Sequence, residues 1–67
     1  MVNTSKLRGR MAQLGISDRE AASALHLSLA VTVKKLNNKS GLNLTEAEAL
    51  ARLLQIGDEA FGEYFFA

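Results

Sequence analysis

Residues 17–39, SDREAASALHLSLAVTVKKLNNK, decide the fold. Ser17-Asp-Arg-Glu20 is a capping box, in which the Ser17 hydroxyl accepts from the third helical amide and Glu20 reaches back to the amide of Ser17. It opens a short helix whose apolar face is Ala21, Ala22 and Leu25. Ser28 is placed to cap a further helix running to about Asn37, where Asn38 and Ser40-Gly41 break it. Two short helices joined by a tight turn, with Lys34, Lys35 and Lys39 at the far end, form an arrangement by which a very small domain presents one helix to the major groove of DNA. The sequence predicts a helix-turn-helix over about residues 17–39.

Within it, Leu27-Ser-Leu-Ala-Val-Thr-Val33 carries two patterns at once. Large apolar and small or polar residues alternate at period 2, and Val31, Thr32 and Val33 are β-branched, both of which favour a strand. Leu29, Val33 and Leu36 also satisfy helical spacing. A lone strand would find no partner in its own chain and would have to pair across a dimer, so helix is the expectation.

Outward from this segment the chain reads as helix throughout, and proline is absent. Leu7, Met11 and Leu14 form one stripe with Arg8 and Arg10 off it, and Gly15 ends that helix in the C′ position. Thr45-Glu-Ala-Glu48 has the form of a second capping box, opening a helix with Ala47, Leu50, Ala51 and Leu54 on one side. Gly57-Asp58 separates it from a terminal helix carrying Ala60, Phe61, Tyr64 and Phe65. The expected fold is all-α: one compact five-helix domain spanning residues 1–67.

Composition narrows the function. At 67 residues the chain is near the lower end of what buries a self-sufficient core, and dimerising would add buried area. With no cysteine and one histidine, His26, neither a disulfide nor a thiolate or zinc site is expected, and no cofactor is implied. No apolar stretch approaches the roughly 20 residues that cross a bilayer, and no signal-peptide core is present, so a cytosolic protein without a membrane partner is expected. No nucleophile-base-orienter set, glycine-rich phosphate loop or metal-ligand spacing points to an enzyme or a small-molecule substrate. Glu46, Glu48, Asp58, Glu59 and Glu63 read as solvated helix faces, and His26 as a turn residue.

Charge is unevenly placed. Up to Lys39 there are seven basic residues (Lys6, Arg8, Arg10, Arg19, Lys34, Lys35, Lys39) against Asp18 and Glu20. From Ser40 onward Arg52 alone faces Glu46, Glu48, Asp58, Glu59 and Glu63. A polyanion would be attracted by the first part and repelled by the second.

The segments KLRGRMAQLGIS, LHLS, VKKLNNKS, LTEAEALARLLQI and EYFF together resemble small phage regulators of the Cro/repressor-type helix-turn-helix class, over about residues 6–66. The run KKLN-x-KS and the acidic helix ending in LLQI are the most specific parts. The resemblance implies a five-helix bundle that acts in the bacterial host cytoplasm as a homodimer on two operator half-sites. It implies that Ala22 lies where two helices cross closely and that Leu25, Leu27 and Leu36 are core. Ser28 would cap the recognition helix, Leu29, Ala30 and Lys34 would face base edges, and Asn37 would position the DNA backbone with Asn38 and Lys39 beside it.

The sequence departs from that pattern in places. His26 stands where the turn usually has glycine, a position that often needs positive φ. Thr32 occupies a site normally held by a core Val, Ile or Leu, while Val31 beside it is apolar, as though the pattern had slipped by one residue. Leu29 and Ala30 are apolar where the class usually has polar readers; such side chains touch thymine methyls but read no donors or acceptors. Asp18 lies where the motif often meets a phosphate, with the wrong charge.

The expected DNA-binding set is Ser28, Leu29, Ala30, Lys34, Lys35, Asn37, Asn38 and Lys39, with Arg8, Arg10 or Arg19 widening the basic surface. The alternative, from a different class, is a co-regulator whose apolar helix grips a repressor protein through Leu29 and Val33. Phe61, Tyr64, Phe65 and Phe66, all the aromatics of the chain, fall within six residues and suggest a surface for a partner, most simply a second copy.

Overall fold

The computed structural model describes residues 2–66. Five helices follow one another: α1 (Thr4–Leu14), α2 (Asp18–Leu25), α3 (Leu29–Leu36), α4 (Leu44–Leu53) and α5 (Asp58–Phe65). No strand occurs among the described residues. Helix α2 packs on both α3 and α4, and α1 packs on α5. Leu7, Leu36, Leu50 and Leu54 are fully buried at the centre, joined by Met11, Ala21, Ala47 and Phe65.

Side-chain oxygens start four of the helices. Asn3 accepts from the Lys6 amide, Ser17 from Glu20, Ser28 from Val31 and Asn43 from Glu46. The box at Ser17 closes as its spacing predicts, with Glu20 accepting from the Ser17 amide. The expected box at Thr45 does not form. Asn43-Leu-Thr-Glu46 has the same spacing two residues earlier, and Asn43 Oδ1 accepts from the Glu46 amide at 2.8 Å while Glu46 Oε1 accepts from the Asn43 amide at 3.0 Å. Asparagine caps as well as threonine or better, and the earlier start brings Leu44 and Thr45 into the helix.

One device ends α1, α2, α3 and α4. Gly15, His26, Asn38 and Gln55 each take positive φ, between 55° and 68°. In each case the next residue's amide bonds a carbonyl five positions back: Ile16 to Met11, Leu27 to Ala22, Lys39 to Lys34 and Ile56 to Ala51. This is the Schellman pattern, which satisfies carbonyls left over at a helix end. Ile16, Leu27 and Ile56 then pack against the core; Lys39, in the equivalent place after α3, is exposed.

The ambiguous segment is helical from Leu29. Its register corrects the expectation of a slipped pattern: Thr32 is fully buried and Val31 is 40 % exposed. Thr32 is accommodated because its hydroxyl donates to the Ser28 carbonyl at 2.9 Å, the carbonyl its own amide also bonds. A buried hydroxyl with a partner costs little.

The start of the chain is tied to the end of α3. Asn38 accepts from the Val2 amide at 3.0 Å and donates to the Val2 carbonyl at 2.7 Å, while the Thr4 hydroxyl donates to the Leu36 carbonyl at 3.2 Å.

Three substitutions test this account. The left-handed conformation costs an L-residue about 1–2 kcal/mol, of which glycine's freedom in the unfolded chain offsets about 0.4–1 kcal/mol. His26→Gly should therefore stabilise by roughly 0.5–1 kcal/mol, raising Tm by several degrees; Gly15→Ala, the reverse change at the matching position of α1, should lower it. Leu36→Ala should cost about 2–5 kcal/mol, a large part of the stability of so small a domain. Thermal melts read all three, and an unchanged Tm for Leu36→Ala would contradict the packing described.

Candidate nucleic-acid interface

The inward side of α3 is set by Thr32 and Leu36, four residues apart and both fully buried. At about 100° per residue, the opposite side is centred on Lys34, with Ala30 and Val31 next to it and Val33 at the margin, while Leu29 lies nearer the inward side and is exposed as the first residue of the helix. Leu29 is 42 % exposed, Ala30 and Lys34 are exposed, and Val33 is half-buried. The face therefore consists of methyl groups and one ammonium. The Ser28 hydroxyl beside it accepts from the Val31 amide at 3.3 Å as the helix cap.

The remaining expected site residues separate into two sets. Lys35 is held within the domain: its ammonium lies 3.1 Å from Glu46 Oε1 and donates to the Gly41 carbonyl at 2.6 Å, and both side chains of the pair are only 14 % exposed. Asn38 uses its amide group on Val2 and Thr4. Asn37 is exposed, with its Oδ1 accepting from Arg8 Nη2 at 3.4 Å. Lys34 and Lys39 are exposed and form no salt bridge among the described residues. The Lys39 amide bonds the Lys34 carbonyl at 2.8 Å, which places the two residues together at the end of α3.

The arginines divide in the same way. Arg8 pairs with Asp18, so the acidic residue at the start of α2 is neutralised from α1. Arg10 Nε donates to the Leu54 carbonyl at 2.8 Å and Nη2 to that of Gln55 at 3.3 Å, closing the end of α4. Lys6 meets Glu63 at 2.6 Å and lies 5.1 Å from the Tyr64 ring centre. Its hydrogen bond to Glu63 raises the Lys6 pKa and lowers that of Glu63. Arg19 is exposed and outside these pairs.

A second surface lies on α4 and α5. Leu44, 61 % exposed, borders two open grooves of about 410 and 490 Å³; one reaches Lys39 and Phe66, the other Arg52, Ile56 and Phe61. Of the clustered aromatics, Phe66 is 67 % exposed and Phe61 and Tyr64 are half-buried. Phe65 is core, 4 % exposed, with its ring 4.8 Å from that of Phe61, so it is not a contact surface. Among the described residues no group of His, Asp or Glu could hold a metal ion, and no helix is long and apolar enough to cross a membrane.

Two exposed residues escape a reading of the sequence alone. Val31 is apolar beside Thr32, as though the pattern had slipped by one residue, yet it sits about 140° around the helix from Leu36 at 3.6 residues per turn. Leu44 precedes the Thr45 box and so looks like loop. Comparison of the chain with protein-family models, curated proteins and solved structures returned no match.

The Lys35–Glu46 contact has a pH signature. The Asn43 amide and then Lys35 hold the Glu46 carboxyl below its ordinary value of 4.5. The folded state then binds this proton less readily than the unfolded chain, so the contribution is present above that value and is lost as pH falls through the lower folded value. Between pH 7 and the acid range, Glu46→Gln should lose less stability than the parent chain, as read by urea midpoints. An identical loss in both would show that Glu46 contributes nothing to acid sensitivity.

Proposed function

We propose that this chain is a DNA-binding transcriptional regulator in which residues 17–39 act as a helix-turn-helix and α3 enters the major groove. The observation that carries this reading is the distribution of its cations. Lys6, Arg8, Arg10 and Lys35 each have a partner within the fold, whereas Lys34 and Lys39 stand together in solvent beside the outward face of α3. Lysines near a helix end also complement its dipole, but Lys39 takes a place that after α1, α2 and α4 belongs to a packed Ile or Leu. In this reading Lys34, Lys39 and Arg19 neutralise phosphates, Asn37 positions the backbone, and Leu29, Ala30 and Val31 meet base edges. Lys35 and Asn38 support the helix from within.

The resemblance to Cro/repressor-type phage regulators supports the same assignment and implies a homodimer working in the bacterial cytoplasm. The α4–α5 surface around Leu44 and Phe66 is the natural place for the second copy. No catalytic role belongs to this reading. The exposure of Leu29 and Val31 favours one alternative, a co-regulator whose α3 grips a repressor protein.

Salt titration tests the proposal. Log affinity for duplex DNA should fall linearly with log salt, by about 0.9 per neutralised phosphate. Lys34→Ala and Lys39→Ala should each flatten the slope by about one, whereas Lys35→Ala should lower Tm and leave the slope alone. If no duplex is bound even at low salt, the DNA reading fails and the co-regulator takes its place.

A further inference from the structure

We propose that α3 selects DNA by the C5-methyl groups of pyrimidines, thymine foremost, rather than by hydrogen bonds to base edges. This rests on the DNA reading above and names what the face would recognise. The outward side of α3 presents Ala30 and Val31, and Leu29 is exposed beside them as the first residue of the helix; none of the three can donate or accept. The polar side chains nearby are committed elsewhere: Ser28 caps the helix, Thr32 is buried on the Ser28 carbonyl, and Lys35 is paired with Glu46. Lys34 is the one polar group left on the face. It sits with Lys39 at the C-terminal end, while the methyl groups occupy the N-terminal turn.

Charge decides between a nucleic acid and an apolar protein groove as the occupant. A purely apolar partner would have to desolvate or avoid two unpaired ammonium groups within the same footprint. The major groove supplies both chemistries at the required places: phosphates along its edge for the lysines, and in its floor the methyl of thymine, the one apolar group that a base pair shows there. A helix that inserts its first turn and lays its last turn against the backbone thus matches the distribution along α3.

The inference separates bases by a single carbon. Replacing thymine with uracil removes the methyl and leaves every donor and acceptor of the pair in place, and 5-methylcytosine adds the methyl to a pair that lacks it. Burying one such group strengthens binding by about fourfold. The experiment uses the full chain and four short duplexes: alternating dA-dT against dA-dU, and alternating dI-dC against dI-5-methyl-dC. Affinity is measured by fluorescence anisotropy at fixed low salt. In each pair the methylated duplex should bind at least about fourfold more tightly.

The variant Leu29→Ser with Val31→Thr should lower that ratio towards one, Ala30 and the threonine methyl being the apolar groups it keeps. Val31→Thr alone, nearly isosteric at an exposed position, should reduce the ratio should the double variant fail to fold. Equal or weaker binding of the methylated duplexes, on a protein that still shows the salt slope, would overturn methyl selection and leave the DNA reading standing. A ratio undiminished in folded variants would overturn the assignment to α3. Failure to bind any of the four duplexes would remove the DNA reading and this inference together.

Discussion

Four residues in left-handed backbone conformation, Gly15, His26, Asn38 and Gln55, set the shape on which everything else in this domain depends. A proline-free chain with helices of eight to eleven residues must reverse direction repeatedly within a few residues. Each left-handed residue turns the chain sharply and lets its own amide and the next one satisfy carbonyls at the helix end. After α1, α2 and α4 the chain then returns an apolar side chain to the core. After α3 it does not, because Asn38 is followed by Lys39 and its own side chain fastens the start of the chain. The end of α3 is thereby tied to the start of the chain while Lys39, just beyond it, remains in water.

The same economy governs charge. In a domain with so small a core, long cationic side chains serve as struts between helices. Arg10 closes the end of α4 from α1, Arg8 joins α1 to the start of α2, and Lys35 links α3 to the start of α4. Partly exposed pairs of this kind contribute little stability individually. Their effect is geometric: Lys35 sets α3 against the start of α4, and Arg8 and Arg10 tie α1 to α2 and α4. A count of basic residues therefore overstates the charge available to a polyanion, and among the described residues only Arg19, Lys34 and Lys39 of the basic half stand outside such pairs.

Much of the fold was legible because its signals are local. The Ser17 box, the Gly15 stop, the Ser28 cap and the faces of α2 and α4 rest on spacings of three or four residues, and helix geometry translates those directly. The competition between Asn43 and Thr45 was harder, since two boxes overlap and sequence spacing alone does not rank them. The candidate site was only partly legible. Which lysine is free depends on Glu46 and Gly41 standing next to Lys35, and which asparagine is free depends on Val2 meeting Asn38. These are contacts between residues distant along the chain, and no local spacing encodes them.

Thr32 and Val31 show how such a contact fixes the proposed recognition face. On hydropathy alone Val31 belongs inside and Thr32 outside, a rotation of about 100° about the helix axis. Leu36 prevents it: four residues on from Thr32, it is fully buried, and turning α3 to bury Val31 would carry Leu36 away from the centre. Burying Leu36 is worth more than exchanging a valine for a threonine whose hydroxyl already has the Ser28 carbonyl as partner. The exposed valine is thus a consequence of core packing, and with Ala30 and the exposed first residue Leu29 it gives the first turn of α3 an apolar surface. A helix end held in place by Asn38 and Lys35, with Lys34 and Lys39 left free, then presents that turn to the surroundings in one fixed orientation.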